Sequence, residues 1–204
     1  NTPKQYVSYA KIKVLEEQET SAFVLEDMLN FSSGFKDKEL LNNEIEIITS
    51  KNILEQVIQE LSLTHSYARV GVLNNESISH SERPISIQRY SSTASSGEYI
   101  VSISKGQNTI RDVDEEKSTT FTFGKNFLLG VDTFNISKSK FFKSLEENGG
   151  EYVFNVTSGY SAFQSLKAKI QLNPITDMVL GLSIKGTDPL LNMKIIVVTI
   201  IFLC

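Results

Sequence analysis

The chain has 204 residues, 40% hydrophobic and 22% charged, which suits a folded core of one domain or one and a half. Its 20 basic and 24 acidic residues are interspersed and give a formal net charge of -4, so no basic stripe is available to neutralise a phosphate backbone, and nucleic acid is not an expected partner. The single cysteine, Cys204, excludes an internal disulfide framework and a cysteine-based metal cluster.

The first third of the chain predicts a strand followed by helices. Residues 9–15, YAKIKVL, alternate aliphatic side chains with Tyr and Lys, which is the period of a strand with one buried face. Residues 21–35 place apolar side chains near helical spacing before a Ser-Ser-Gly breaker and indicate a short helix or a mobile loop. Residues 38–49 repeat apolar side chains on one face, with acids nearby, and predict a helix.

A second helix is predicted to start at Ser50, whose hydroxyl can accept a hydrogen bond from the backbone N–H of Asn52 or Ile53. The charges around this junction point away from the apolar stripe, so they face either solvent or a neighbouring subunit. The candidate subunit interface consists of Glu44, Glu46, Ser50 and Lys51. The apolar residues expected to form the core beside it are Ile45, Ile48, Leu54, Val57 and Leu61.

Beyond His65 the sequence predicts short strands separated by polar turns, rich in β-branched and aromatic residues. The predicted strands cover residues 67–73, 85–90, 98–104, 119–124, 151–158 and 178–186. They indicate an antiparallel or mixed sheet. A helix is predicted over 159–170, and Asp188-Pro189 has the cap and first-turn proline of another helix.

Signals for catalysis are weak throughout the chain. His65 and His80 do not form a metal-ligand pair with their neighbours, and no G-x-S-x-G motif occurs. The acidic run at residues 112–116 lacks the glycine of a calcium loop and is more typical of a solvated turn between two strands. We therefore expect neither an enzyme nor a cofactor or metal site.

Three segments resemble the Wzz-type chain-length determinants, also called polysaccharide co-polymerases. The first has Pro3 and Tyr9 ahead of the strand AKIKV; the others are NEIEIITSKNILEQVIQELSL and LKAKIQLNPITDMVLGLSIKGTDP. The acidic-aliphatic motif of that family, E-I-x-x-[IL]-x-S-[KR], corresponds here to Glu46, Ile47, Ser50 and Lys51 with a small difference in spacing.

The resemblance implies an α+β fold, in which helices pack on one side of a mixed or antiparallel sheet in a membrane-proximal periplasmic domain. It also implies that residues 1–187 form this domain in the periplasm, between two spans of the bacterial inner membrane, with Asn1 just after the first span. Copies would assemble into a ring and act with polysaccharide polymerase or export machinery, and contact with the polysaccharide itself would be feasible. A tyrosine kinase domain would lie outside these residues, since no G-x-x-x-x-G-K-[ST] occurs.

The last residues depart from the family. After the start of a helix at 188, residues 194–204 form an uninterrupted apolar run that is shorter than the roughly 20 residues of a membrane span. Three explanations remain open: a second span cut short, a truncated or frame-altered end, and a buried last strand. We favour truncation.

Two classes of function follow from the sequence. The first is an oligomeric scaffold that regulates the chain length or export of O-antigen, capsule or exopolysaccharide. The second is a monomeric periplasmic or surface carbohydrate-binding module that stacks Phe121, Phe123, Phe127 or Phe134 on sugar rings. Alternatively, these four side chains fill the core between the sheet and the helices.

Overall fold

The computed structural model describes residues 4–14, 33–90, 96–104, 106–142, 149–176 and 178–203. In these ranges the helices are α1 (Ser33–Ile48), α2 (Lys51–Glu60), α3 (Gly159–Lys169) and α4 (Pro189–Ile201). The strands are β1 (Tyr6–Lys13), β2 (His65–Arg69), β3 (Glu76–Ser77), β4 (Ile85–Tyr90), β5 (Gly97–Ile103), β6 (Asn108–Asp112), β7 (Ser118–Phe121), β8 (Asn126–Leu129), β9 (Asp132–Lys138), β10 (Gly150–Val156), β11 (Ile170–Thr176) and β12 (Val179–Gly186).

The chain divides into two compact units. The first unit combines Asn1–Leu61 with Phe163–Cys204, and the second is the continuous stretch Ser62–Ala162. The second unit therefore interrupts the first in sequence, and its strands account for most of the sheet structure.

The first unit is built on a three-stranded antiparallel sheet in the order β1-β12-β11. In the central strand, Leu180, Leu182 and Ile184 are fully buried on the face that the helices cover. Helix α4 packs on β1 and β12 and also contacts α2, which in turn contacts α1. A sheet with one apolar face must be covered by another layer, and here the helices supply it.

Helix α4 is attached to the sheet at its first turn. The Asp188 carboxylate accepts a hydrogen bond from the Leu191 backbone N–H at 3.0 Å, as the sequence predicts for a cap before Pro189. The buried Asn192 amide donates to the Tyr6 carbonyl at 3.2 Å, which joins α4 to the start of β1. No helix in the described part of the chain combines the length and apolar character that crossing a bilayer requires.

The second unit contains two antiparallel sheets that share one core. The larger has the order β3-β2-β10-β5-β6-β7, and the smaller has the order β4-β9-β8. The core side chains come from both sheets: Tyr99 on β5 meets Phe134 on β9 edge-on, with ring centroids 5.1 Å apart, and also lies 6.0 Å from Phe154 on β10. Each sheet thus covers the apolar face of the other.

The predicted fold class is wrong. The sequence predicted an α+β fold with helices packed on one side of a single mixed or antiparallel sheet, whereas the described residues form a sheet-rich fold with three separate antiparallel sheets. Short connections join β2 to β3, β5 to β6, β6 to β7 and β8 to β9 in the second unit, and such connections favour antiparallel pairing without helical crossovers. The second sheet, rather than a layer of helices, then buries the apolar face.

Individual elements follow the sequence predictions more closely. Strand β4 has the predicted bounds, and α1, α2, α3, β5 and β10 overlap the predicted ranges. The strand predicted over 67–73 ends at Arg69, because Val72 and Leu73 lie exposed in the loop that follows. The helix or loop predicted over 21–35 falls mostly outside the described residues. Strands β3, β6, β8, β9 and β11 have no counterpart among the predicted strands.

A buried ion pair joins β4 to β9 in the smaller sheet. The Arg89 Nε donates to the Asp132 Oδ2 at 2.7 Å, and the two side chains are only 7% and 8% exposed. The guanidinium also lies 5.7 Å from the centre of the Tyr99 ring. An ion pair removed from water in this way is costly to break from one side, because the remaining charge stays buried.

Replacing both members of this pair should destabilise the second unit by less than the two single replacements added together. We expect Asp132→Asn to lower the free energy of unfolding by about 3 kcal/mol or more, because it leaves the Arg89 charge without its carboxylate. The double variant Arg89→Met/Asp132→Asn should lose less than the sum of the single variants. Urea unfolding of the four proteins in a double-mutant cycle measures the coupling. Additive losses would contradict a stabilising pair.

Candidate functional site

The junction between α1 and α2 holds the residues that the sequence selected as a subunit interface. Helix α1 ends at Ile48, and the backbone N–H groups of Thr49 and Ser50 still donate to carbonyls of its last turn. Ser50 then turns extended, with φ -63° and ψ 151°, and its hydroxyl accepts from the Ile53 N–H at 3.4 Å. The prediction that Ser50 restarts the helix is confirmed.

The apolar side chains at this junction are buried in the first unit. Ile48, Leu54 and Val57 are fully buried, as the sequence predicted for core residues. Ile45 packs against the cluster formed by Leu41, Ile48 and Leu180, while Leu61 is half-buried. Among the described side chains, the helix pair therefore packs on the rest of the first unit through this apolar face.

The opposite side carries charges of both signs. Glu46 and Lys51 are exposed and Glu44 is half-buried. Lys51 forms a 3.6 Å ion pair with Glu55 one helical turn further on, with side chains 73% and 47% exposed. A pair so open to water contributes at most a few tenths of a kcal/mol to a helix. Its charges thus remain available to a charged surface on another molecule.

Ile47 is the residue on this side that the sequence analysis did not assign to the interface. Its side chain is 48% exposed between Glu46 and the α1 terminus. The sequence did contain a signal for this residue. Helical spacing places Ile47 away from the apolar stripe formed by Leu41, Ile45 and Ile48. We call the surface formed by Glu44, Glu46, Ile47, Lys51 and Glu55 the α1–α2 face.

The acidic run at residues 112–116 is a turn between β6 and β7, as predicted. The Asp112 carboxylate accepts from the backbone N–H groups of Asp114 and Glu115 at 2.9 and 3.0 Å. Lys117 pairs with Glu115 at 2.7 Å. These carboxylates therefore stabilise the turn itself. Within the described ranges, no group of three or more His, Cys, Asp or Glu side chains is arranged to hold a metal ion.

His65 is a packed aromatic side chain of the second unit. Its ring lies 5.2 Å from that of Phe154. Burial lowers the pKa of His65, and the positive charges of Arg83, His80 and Arg89 lower that pKa further. The neutral imidazole is therefore the form that the folded unit favours.

The four phenylalanines proposed as sugar platforms are mostly core residues. Phe121 and Phe134 are buried, and Phe127 stacks between them with centroids 5.4 and 6.0 Å away. Phe123 is half-buried and meets Phe121 edge-on at 5.4 Å. The row as a whole fills the space between the two sheets, and Phe121 and Phe123 also line a cleft.

That cleft lies wholly within the second unit and has a volume of about 670 Å³. Its walls come from the loop between β5 and β6, from the end of β7 and from the end of β9. The lining residues are Ser104, Gly106, Gln107, Asn108, Thr120, Phe121, Thr122, Phe123 and Lys138. Sequence reasoning did not identify it.

No protein-family profile and no curated protein matches the chain. Among solved structures, the chain is similar to the crystal structure of FlgL from Xanthomonas campestris, with a TM-score of 0.22 and 10% sequence identity. The match covers 68% of this chain and 44% of that one. The chain thus spans less than half the length of FlgL, and a likeness this weak supports no statement about fold or function.

The capping role of Ser50 predicts a specific loss on substitution. Ser50→Ala should lower the free energy of unfolding by about 0.5–1 kcal/mol, because the Ile53 N–H loses its acceptor. Ser165→Ala, at an exposed position inside α3, is the matched control and should have little effect or stabilise slightly. Urea unfolding of both variants checks this. Equal effects would show that the cap is not the cause.

The shifted pKa of His65 predicts a pH dependence of stability. Because the folded-state pKa lies below the ordinary 6.5, the unfolded chain binds a proton more readily, and stability falls as the pH drops through 6.5. His65→Phe keeps an aromatic ring against Phe154 and removes the titration. We expect the loss of stability between about pH 7.5 and pH 5.5 to be smaller in this variant. Identical losses in urea titrations of both proteins would contradict the assignment.

Proposed function

We propose that the chain is the periplasmic domain of a bacterial inner-membrane protein that regulates the chain length or export of a surface polysaccharide, acting as an oligomeric scaffold. The observation that carries this proposal is which segments of the chain make up the first unit. Nearly all residues of the three segments that resemble the Wzz-type proteins belong to it, although the stretch Ser62–Ala162 separates them in sequence. The residues that carry the resemblance therefore lie together in one compact unit.

The α1–α2 face is the proposed contact between copies. In sequence, the exposed Ile47 lies between Glu46 and Lys51, which are also exposed and carry opposite charges. An apolar centre with charges of both signs around it suits a protein contact, because the apolar group contributes affinity and the charges fix orientation. A head-to-tail contact of this kind generates a closed ring if the rotation between copies closes.

As a scaffold, the domain would catalyse no reaction itself. In this proposal the ring holds copies of the domain beside the polymerase or export machinery, and segments outside this chain anchor each copy in the membrane. The polymer is made by partner proteins. Any tyrosine kinase domain would belong to other parts of the protein or to a partner.

The alternative, a monomeric carbohydrate-binding module, is supported less well. It required a row of phenylalanines on the surface, whereas Phe121 and Phe134 are buried between the two sheets. Self-association separates the two proposals, because only the scaffold has to form rings.

Removing the charges of the α1–α2 face should weaken assembly without unfolding the domain. We expect Glu46→Ala/Lys51→Ala, in the complete membrane-anchored protein, to reduce ring assembly and to broaden the length distribution of the polysaccharide. Both side chains are exposed, so the free energy of unfolding should change by less than about 0.5 kcal/mol. Gel analysis of the polysaccharide from complemented deletion cells measures the distribution.

The control variant is Glu60→Ala/Lys169→Ala, which removes one exposed acid and one exposed base elsewhere in the first unit. It should leave the polymer length unchanged. An unaltered length distribution in the Glu46→Ala/Lys51→Ala cells, with normal protein levels, would count against the scaffold.

A further inference from the structure

We propose that the outer face of the β1-β12-β11 sheet is the docking surface for the α1–α2 face of a second copy of this chain. This inference rests on the proposed function, which requires copies to meet, and it assigns the other surface of that contact. Both surfaces belong to the first unit.

The three-stranded sheet has one face covered by helices and one face open to water. Ile12 packs with Leu180 in the cluster under α1, so these residues mark the covered face. Side chains alternate between the two faces of a strand, and the neighbours of Ile12 therefore point the other way. We call this open side the outer sheet face, and the residues on which the proposal rests are Val7, Tyr9, Lys11, Lys13, Ile175 and Lys185.

The outer sheet face has an apolar centre over Gly181 of β12. A Cβ on Gly181 would lie 2.8 Å from the Tyr9 hydroxyl oxygen and 3.2 Å from the Ile175 Cδ1, so these two side chains reach over the central strand from its two neighbours. Tyr9 is nevertheless 55% exposed and Ile175 is 43% exposed. Adjoining apolar side chains left open to water in this way are typical of a surface that contacts another molecule.

Lysines accompany this apolar centre. Lys11 and Lys13 follow Tyr9 on the same side of β1, and Lys185 of β12 lies opposite Val7. All three lysines are exposed. Among the described residues of the three strands, none is an aspartate or a glutamate. The outer sheet face therefore carries an excess of positive charge.

The α1–α2 face has the opposite charge and an apolar residue of its own. It contains three carboxylates, Glu44, Glu46 and Glu55, and one lysine, Lys51, so it carries an excess of negative charge. Ile47, 48% exposed, supplies the apolar group. Two surfaces that each combine an apolar residue with charges of opposite excess are complementary, and this complementarity identifies the occupant as a second copy.

The two surfaces lie on opposite sides of the first unit. Ile45 and Ile48 pack toward the sheet, and helical spacing places Glu46 and Ile47 on the side of α1 that points away from it. The outer sheet face is on the far side of the same sheet. A copy with complementary surfaces on opposite sides can bind one neighbour through each, which is the head-to-tail arrangement of a ring.

Charge also argues against a symmetric contact. If two copies met through the same surface, the α1–α2 face would place carboxylates opposite carboxylates, and the outer sheet face would place lysines opposite lysines. Like charges brought together at an interface weaken it. The head-to-tail contact places the acidic surface against the basic one instead.

Photo-crosslinking from the sheet tests the contact without removing any charge. A photoreactive phenylalanine analogue replaces Tyr9 in the complete membrane-anchored protein, and Tyr160, 72% exposed at the start of α3, is the matched control position. Covalent dimers from irradiated cells are digested, and mass spectrometry identifies the linked peptides. We expect position 9 to link to α1 or α2 of the neighbouring copy and position 160 not to do so. Monomer alone from position 9, or links only between two copies of β1, would overturn the proposal.

Charge reversal tests the complementarity. Lys11→Glu/Lys13→Glu and Glu46→Lys/Glu55→Lys should each lower the yield of covalent dimers from an analogue at position 47 by about tenfold. The combined variant should recover most of that yield, because the two surfaces again have opposite charge. Arg111→Glu/Lys125→Glu makes the same change of charge at exposed positions of the second unit and should keep the full yield. Thermal unfolding confirms that each variant is folded, and a folded combined variant that recovers nothing would overturn the proposal.

The same experiments separate this inference from the scaffold. Covalent oligomers from position 47 that link to any surface other than the outer sheet face would contradict the docking surface and leave the scaffold standing. Monomer alone from both position 9 and position 47, with unchanged polymer length in the Glu46→Ala/Lys51→Ala cells, would contradict the scaffold as well.

Discussion

The antiparallel pairing of β1 with β12 is the constraint on which the first unit depends. It runs without a break from Tyr6 opposite Gly186 to Lys13 opposite Val179, and so joins segments from the two ends of the chain. In sequence, helices α1 and α2 precede the interrupting stretch, and β11, β12 and α4 follow it. The β1–β12 pairing therefore supplies the common surface that helices from both parts of the chain cover. Gly186 permits the close approach of α4, since a Cβ there would lie 2.6 Å from the Asn192 Oδ1.

Local sequence signals identified the helices and many of the strands, but not how the strands are grouped. Ser50 and Asp188 are recognisable caps because a side-chain acceptor next to the first turn acts within a few residues. An alternating strand reveals that one of its faces is buried, and the layer that covers it is a long-range property. The residues of β4 therefore predicted a strand correctly, whereas nothing in them indicated that Ile85 and Ile87 pack in a core shared by two sheets. The expectation of a helical layer arose from the resemblance, and the second unit does not follow it.

The candidate sites also divide into features that the local sequence reveals and features that depend on long-range contacts. Glu46 and Lys51 could be assigned to a polar helix face because helical periodicity separates them from the apolar stripe. The acidic turn was also predictable, since its residues contact one another within the run 112–117. The cleft was not, because Gln107, Thr122 and Lys138 come from three separate segments and meet only after the sheets have paired. The phenylalanines were ambiguous for a physical reason: an aromatic side chain suits a core and a sugar platform equally well, and only burial separates Phe134 from Phe123.

The central claim is that copies of the domain meet through the α1–α2 face, and photo-crosslinking in the membrane tests it most directly. A photoreactive phenylalanine analogue replaces Ile47 in the complete protein, and the same analogue replaces Gln164, an exposed residue of α3, as the control. Irradiation of intact cells followed by gel electrophoresis shows which position links copies of the protein. The account predicts a ladder of covalent oligomers from position 47 and mainly monomer from position 164. Monomer alone from position 47, at normal protein levels, would contradict it.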